Sequence, residues 1–173
     1  TPEEFQSYVN RISEENKKDV MVQEFIDIPD KYLTNISCQG FWVNGKCAGS
    51  YVACQERKLS KGLTSYIEEI TNANLVQSIK ELVCDFMTEL KYKGFAEFEF
   101  MYDTRNGKLW FLEVNTRTCG SQSGMHYKFS NISNILLNPS EYRLLQSTTK
   151  PLRWMNIQRD VRARIENNDW KHL

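Results

Sequence analysis

GFAEFEFMYDTRNGKLWFLEVNTRTCGSQSG, residues 94–124, is the stretch on which the fold turns. Two apolar runs flank the polar segment Asp103-Thr104-Arg105-Asn106-Gly107, whose glycine stands where a positive φ is expected; the pattern predicts a β-hairpin. Glu99 interrupts the first run. Glu113 and Asn115 stand two apart on the second, so a strand would point both to one face. Registered across the hairpin, the three side chains converge as a cluster of hard oxygen donors, and Arg117 follows at once. Two carboxylates and an amide oxygen suit Mg²⁺, which takes oxygen ligands and shares its shell with substrate phosphates. The plainer reading is a solvated face. Glu97 points the same way as Glu99, and an antiparallel sheet can carry Glu97, Glu99, Glu113 and Asn115 in water while Phe95, Phe98 and Phe100 require burial.

Upstream, Leu75, Ile79, Leu82, Val83, Phe86, Met87 and Leu90 recur at helical spacing. They predict a helix over 74–93 with Gly94 as its C′ residue, and the stripe reads as core. Helix followed by hairpin makes an α+β unit, an antiparallel β-sheet packed with helices. Asn44-Gly45, between runs at 36–43 and 46–55, is the strongest short hairpin signal in the chain. Before it, 20–26 predicts a strand. Thr1-Pro2-Glu3-Glu4 reads as a helix start, with Phe5, Tyr8, Val9 and Ile12 as one apolar stripe and an end within 13–19. Residues 60–65 read as a loop, where Lys58, Lys61 and Gly62 beside Arg57 form either an anion-facing cradle or a solvated basic turn.

Beyond the hairpin, 118–124 is a small, polar loop whose N–H groups and hydroxyls can hold an anion. Residues 125–145 read as helical in parts, broken at Asn138-Pro139, with Pro139 at N1 of a further helix. A short strand at 152–157 carries Trp154. A charged helix over 157–167 sets Arg159, Arg162 and Arg164 against Asp160 and Glu166, a solvated face by pattern.

Composition narrows the function. The 173 residues, 40% hydrophobic and 12% aromatic, suit one globular domain or part of one. Lys+Arg of 22 against Asp+Glu of 22 leaves no net charge, which argues against nucleic acid or an anionic membrane as partner. No apolar run nears the roughly 20 residues of a membrane helix. Cys38, Cys47, Cys54, Cys84 and Cys119 form no CxxC pair, and with only His126 and His172 a zinc site is not expected. An odd number of thiols without a secretory signal points to a reduced, cytoplasmic setting. The first four read as small core residues, Cys119 as a packed thiol in the motif loop, and His126 as structural.

Leu112-Glu113-Val114-Asn115-Thr116-Arg117, behind the strand that Gly94 opens, resembles the end of an ATP-grasp domain. That family carries an acidic residue on a Gly-led strand and closes a later strand with an (L/I)-E-x-N-x-R pattern. The likeness extends upstream to Met21-Val22-Gln23-Glu24-Phe25-Ile26, similar to the strand that leads into the adenine hinge. It includes Gln55-Glu56-Arg57-Lys58 with Gly62 and Thr64, similar to an Arg-bearing segment and turn. In all it spans residues 19–124, with a weaker likeness at 154–160.

The resemblance implies an ATP-grasp large lobe acting in ATP-dependent ligation of a small-molecule carboxylate to an amine or another nucleophile, through an acyl phosphate. It implies Glu99, Glu113 and Asn115 as ligands of Mg²⁺ (or Mn²⁺), with Glu113 bridging two ions. It implies Arg117 on the transferred phosphoryl, a task for a planar, permanently charged fork, with Arg57 as a second catalytic arginine. Gln23, Glu24, Phe25, Ile26 and Asp30 would contact the adenine and ribose of ATP, although Ile28-Pro29 stands where many relatives have glycine. Residues 1–26 then correspond to the end of a small lobe and 27–173 to the large lobe. Lys17 and Lys18 lie in the wrong context for the small-lobe phosphate lysine. The expectation is therefore a single, partial ATP-grasp domain: a ligase lobe inactive when isolated, or alternatively a non-catalytic nucleotide-binding or scaffolding module.

Overall fold

The computed structural model describes residues 1–12, 22–60, 62–138 and 142–170. In chain order the elements are α1 (Pro2–Arg11), β1 (Leu33–Val43), β2 (Lys46–Lys58), β3 (Thr64–Glu69), α2 (Ala73–Glu89), β4 (Gly94–Asp103), β5 (Lys108–Asn115), α3 (Ser123–Lys128), α4 (Ile132–Leu137), β6 (Arg153–Met155) and α5 (Ile157–Asn167). The six strands form one sheet in the order β5-β4-β1-β2-β3-β6, and each neighbouring pair is antiparallel. This is the α+β architecture that the sequence predicts. No helix among the described residues is long and apolar enough to cross a membrane.

The sheet is covered unequally. On one face, Ile79, Val83 and Met87 of α2 pack on Ile36, Trp42, Val52, Phe98 and Phe100. Burying each of these helix residues contributes about 1.5–3 kcal/mol. On the other face, Met125 of α3, Phe129 and the α4 residues Ile132 and Ile135 pack on Phe41, Tyr51, Ala53 and Ile67. They cover only part of it. The side chains of Ser37, Gln39, Glu97, Glu99, Glu113 and Asn115 continue that second face beyond the apolar cover, and the candidate site lies there.

Local chemistry explains most element ends. Asn44 (φ 50°) and Gly45 (φ 79°) both adopt the positive φ that a two-residue hairpin turn requires. The Asn72 side chain accepts from Leu75 N–H at 3.1 Å and caps α2. Four expectations need correction. α2 stops at Glu89 and turns through Lys91 (φ 48°), so Gly94 opens β4 instead of capping the helix. The segment read as a loop through residue 65 is already strand at Thr64, because β3 finds β2 on one side and β6 on the other. Of the strand expected over 20–26, residues 20 and 21 lie outside the described residues, and 22–26 pair with no strand. An extended segment stays a strand only where a neighbour takes its backbone groups, and none of the six lies alongside. Finally, Asp160 and Arg164 of α5 are buried, not solvated.

α1 begins with the expected capping box, Glu4 N–H donating to Thr1 Oγ1 at 3.2 Å, but none of its residues is buried. The 125–145 region divides into α3 and α4. Pro139, Lys17, Lys18 and Lys61 lie outside the described residues.

Candidate functional site

The β4–β5 hairpin builds the site by a change of phase. Glu99 lies opposite Glu113, and Glu97 opposite Asn115. On the turn side, Phe100 pairs with Phe111, so Leu112 is an extra residue on β5. A bulge of this kind reverses which face the following residues meet. Phe111 therefore packs on Phe98 and Phe100, at ring-centroid distances of 6.1 and 5.8 Å, on the α2 side. Glu113 and Asn115 face the opposite way, beside Glu99. A regular strand would have put Phe111 on the face of Glu113.

Among the described residues the carboxylates are under-satisfied. Asn115 Nδ2 donates to Glu113 Oε1 at 2.9 Å and reaches Glu99 Oε1 at 3.3 Å, so one amide serves two acids. Arg117 Nη2 donates to Asn115 Oδ1 at 3.1 Å and Nη1 to the Thr118 carbonyl at 3.3 Å. No group of three or more His, Cys, Asp or Glu side chains suited to a metal is present among the described residues. The donor set is instead two carboxylates completed by an amide. Its fit to a hard divalent cation rests on that amide: the Asn115 nitrogen occupies the place between the acids, and turning the group over offers oxygen there.

Behind the acids lies a buried polar network. Gln39 Nε2 donates to Ser121 Oγ at 2.6 Å and Glu97 Oε1 at 3.0 Å, while Gln39 Oε1 accepts from Tyr51 Oη at 2.6 Å and Cys119 Sγ at 3.0 Å. This ties the loop after Arg117 to the centre of β1. Burial and the neighbouring Glu99 push the Glu97 carboxyl up to about 7, against bonds from Gln39 and the charge of Arg117. Burial also pushes the Cys119 thiol up to about 11, which keeps it protonated and suits a packed donor more than a nucleophile.

The cavity in front of the acids measures about 280 Å³. Glu97, Glu99, Glu113, Asn115 and Arg117 form one wall. Gln55, Gly62 and Thr64 of the β2–β3 hairpin, Cys119 to Ser121, and Trp154 and Arg159 close the rest. Trp154 is fixed by its Nε1–H donating to Ser123 Oγ at 2.8 Å. A Cβ on Gly120 would come within 3.2 Å of Arg159 Nη1, so the motif loop and the arginine of α5 adjoin.

Glu99, Glu113, Asn115 and Arg117 are thus brought together as the sequence predicts. Arg57 is not brought to them. β2 slips against β3 at Glu56, so Arg57 pairs with Tyr66 instead of continuing the face of Gln55 and Ile67. Its guanidinium stacks 4.9 Å from the Tyr66 ring centroid and donates to Asp160 Oδ1 at 2.7 Å. A second slip returns Lys58 to register with Thr64. Burial holds the Lys58 ammonium below its usual range, opposed by the charges of Glu99 and Glu97 nearby.

Gln23, Glu24, Phe25, Ile26 and Asp30 do not line the cavity either. All but Ile26 are exposed, Phe25 at 85%. Gln39 carries no functional signal in the sequence, and the charge pattern of 157–167 predicts Arg159 on a solvated face, whereas it lines the cavity. Arg159 carried no local signal, since its place depends on how α5 docks.

No protein-family model matches the chain. A curated D-aspartate ligase of Enterococcus faecium (strain Aus0004) is 30% identical over 121 residues, which make up 68% of this chain and 28% of that protein. The chain thus spans under a third of the length of that relative. Among solved structures, a biotin carboxylase–β,γ-ATP complex from Campylobacter jejuni matches 70% of this chain and 27% of its own, with a TM-score of 0.56 at 18% identity. The biotin carboxylase domain of a thermophilic 2-oxoglutarate carboxylase, bound to ADP without magnesium, matches 67% and 28%, with a TM-score of 0.54 at 16% identity. At such identities the likeness is one of fold.

Proposed function

The chain belongs to the ATP-grasp superfamily, and from that premise we propose that it is the phosphate- and metal-holding lobe of an ATP-dependent ligase joining a small-molecule carboxylate to an amine. One observation carries the reading: Glu99, Glu113, Asn115 and Arg117 meet on one wall of an open cavity, where two carboxylates share a single amide donor. Glu99, Glu113 and Asn115 would hold Mg²⁺ or Mn²⁺, which when bound neutralises charge on the β- and γ-phosphates of ATP.

The chain's own residues do the rest. When the Asn115 amide turns its oxygen to the acids, it withdraws the acceptor that Arg117 now uses. The freed guanidinium then pairs with the phosphoryl in transfer, two N–H groups to two oxygens. An oxygen of the acid substrate takes the γ-phosphoryl as ADP leaves, and the amine displaces phosphate from the resulting acyl phosphate. Arg159, across the cavity beside Gly120, supplies a second cation for the acid substrate. Gln39 holds the 119–121 loop in place through Ser121 and Cys119.

Contact of Gln23, Glu24, Phe25, Ile26 and Asp30 with the base and ribose belongs to the same proposal; the exposed Phe25 ring is a face available for stacking. So does a cytoplasmic setting. Because those five residues stand outside the cavity wall, a module that binds nucleotide, or scaffolds, without turnover is the second reading.

Calorimetric titration of Mg²⁺–ATP into this chain and into Glu113→Gln tests the first. Metal-dependent binding is expected, weakened at least about tenfold, about 1.4 kcal/mol, by the substitution. Binding that ignores both metal and Glu113 overturns the site. The chain alone is expected to show little ligation, and turnover of ATP with acid and amine at whole-enzyme rates would refute that expectation. Metal-dependent binding without turnover in the whole protein favours the second reading.

A further inference from the structure

The tip of the β1–β2 hairpin is clamped to the end of α2. Gly45 N–H donates to the Tyr92 carbonyl at 2.8 Å, and Thr88 Oγ1 donates to the Gly45 carbonyl at 3.3 Å. The fit is close, since a Cβ on Gly45 would lie 2.8 Å from Thr88 Cα. Two residues after Gly45 comes Cys47, at the start of β2. One turn before Thr88 comes Cys84, in the middle of α2. The clamp fixes these two backbones side by side, with Cys47 packed against the Ile79, Val83 and Met87 cluster.

Both thiols are free and half-buried, and they are hydrogen-bonded to each other. With that bond, help from the Ser50 side chain and the Lys80 ammonium one turn earlier on α2, Cys47 is lowered below the usual thiol range against the effect of burial. Cys84 is raised, first by the bond to Cys47 and then by burial. The remaining thiols differ. Cys38 is fully buried, and burial pushes both Cys38 and Cys54 up to about 12. A thiolate with a resolving thiol already in contact is the arrangement that closes to a disulfide.

We propose that Cys47 and Cys84 are a modification site, a dithiol that a low-molecular-weight disulfide such as glutathione disulfide converts to a reversible internal disulfide. The Cys47 thiolate attacks one sulfur of the small disulfide, forming a mixed disulfide and expelling one small thiolate. Cys84 then loses its proton and attacks the Cys47 sulfur, expelling the second small thiolate, which is protonated in turn. The balance is one small disulfide and two protein thiols going to one protein disulfide and two small thiols. The new bond fastens α2 to β2 on the face of the sheet opposite the cavity. It depends on no part of the ligase reading.

The test is incubation of the full chain with glutathione disulfide, acid quench, alkylation and peptide mass mapping over time. A Cys47–Cys84 crosslink is expected to form about tenfold faster than any capping of Cys54, and to reopen with excess dithiol. Cys84→Ser should accumulate glutathione on Cys47 without closure, and Cys47→Ser should leave Cys84 unmodified. Three results would overturn the proposal: Cys47 and Cys84 still free when Cys54 or Cys119 is capped, a mixed disulfide on Cys47 of the unaltered chain that never closes, or closure onto Cys38. The mapping on the unaltered chain decides the matter even if either serine variant fails to fold.

Discussion

The Arg57–Asp160–Arg164 cluster and the Glu99–Glu113–Asn115–Arg117 cluster use the same chemistry, carboxylates beside arginines, to opposite ends. In the first, one buried carboxylate takes Arg57 Nε at 2.7 Å, Arg164 Nε at 2.6 Å and the Ser65 hydroxyl at 3.2 Å. Burial alone would raise Asp160, but the bonds from Arg57 and Arg164 hold it below the usual carboxylate range. In the second, two carboxylates share one amide, and the arginine bonds to the amide oxygen and a backbone carbonyl instead. The first cluster fastens α5 to β2 and β3. The second keeps acceptor capacity open to whatever enters the cavity. Satisfaction, more than residue type, separates a structural charge cluster from one available to a ligand.

The largest effect should come from breaking the closed cluster. Asp160→Ala leaves Arg57 and Arg164 buried without their shared acceptor, and a loss of about 3–5 kcal/mol is expected in urea unfolding followed by tryptophan fluorescence. A loss below about 1 kcal/mol would mean that α5 is held by other contacts. Glu113→Gln, by contrast, removes one of two neighbouring acids, so the metal-free protein should unfold within about 0.5 kcal/mol of the unaltered chain. If both variants lost stability equally, the contrast between the clusters would collapse.

Glu97 lies between these extremes, buried like Asp160 yet bonded to no cation among the described residues. Its carboxyl is raised from 4.5 to about 7 in the folded state, first by burial and then by Glu99. The folded chain therefore binds more protons than the unfolded one across that window, and stability falls as pH rises from about 4.5 to 7. Above it the penalty is complete. Chelator-treated Glu97→Gln should lack this decline and exceed the unaltered chain by roughly 1–3 kcal/mol at pH 8, with no such gain at pH 4. Parallel curves for the two proteins from pH 4 to 8 would show that Glu97 does not titrate in this range.

The contrast also marks what a sequence discloses. Asn44-Gly45, the α2 stripe and the helix over 157–167 are legible because each rests on a local pattern: a turn pair suited to positive φ, helical spacing, and a run of alternating charges. The Glu99–Glu113–Asn115 set is legible in content but not in cause. Spacing puts Glu113 and Asn115 on one face, yet it gives no sign that Leu112 must bulge for Phe111 to reach Phe98 and Phe100. The place of Arg57, which the resemblance sets among the catalytic residues, is decided by another such irregularity, the slip of β2 against β3 at Glu56. Bulges answer to cross-strand packing, and one strand read alone does not contain its partner. Gln39 was hidden for another reason. A neutral residue inside an apolar strand signals nothing until Glu97, Ser121, Tyr51 and Cys119 converge on it.

The finest test of the comparison changes one atom. Asn115→Asp replaces the donor between Glu99 and Glu113 with a third acceptor while keeping shape and volume. Without metal, three acids then crowd a site that has lost its bridging N–H groups, and a destabilisation of about 1 kcal/mol is expected. With saturating Mg²⁺ the deficit should shrink or vanish, because an added carboxylate strengthens an oxygen site for a hard cation. Melting temperatures of both proteins, with chelator and with Mg²⁺, give the four values needed. An open cluster predicts a larger metal-induced rise in the aspartate variant than in the parent chain. Equal rises would mean that Asn115 faces no cation, and that its amide is as purely structural as the ion pair under α5.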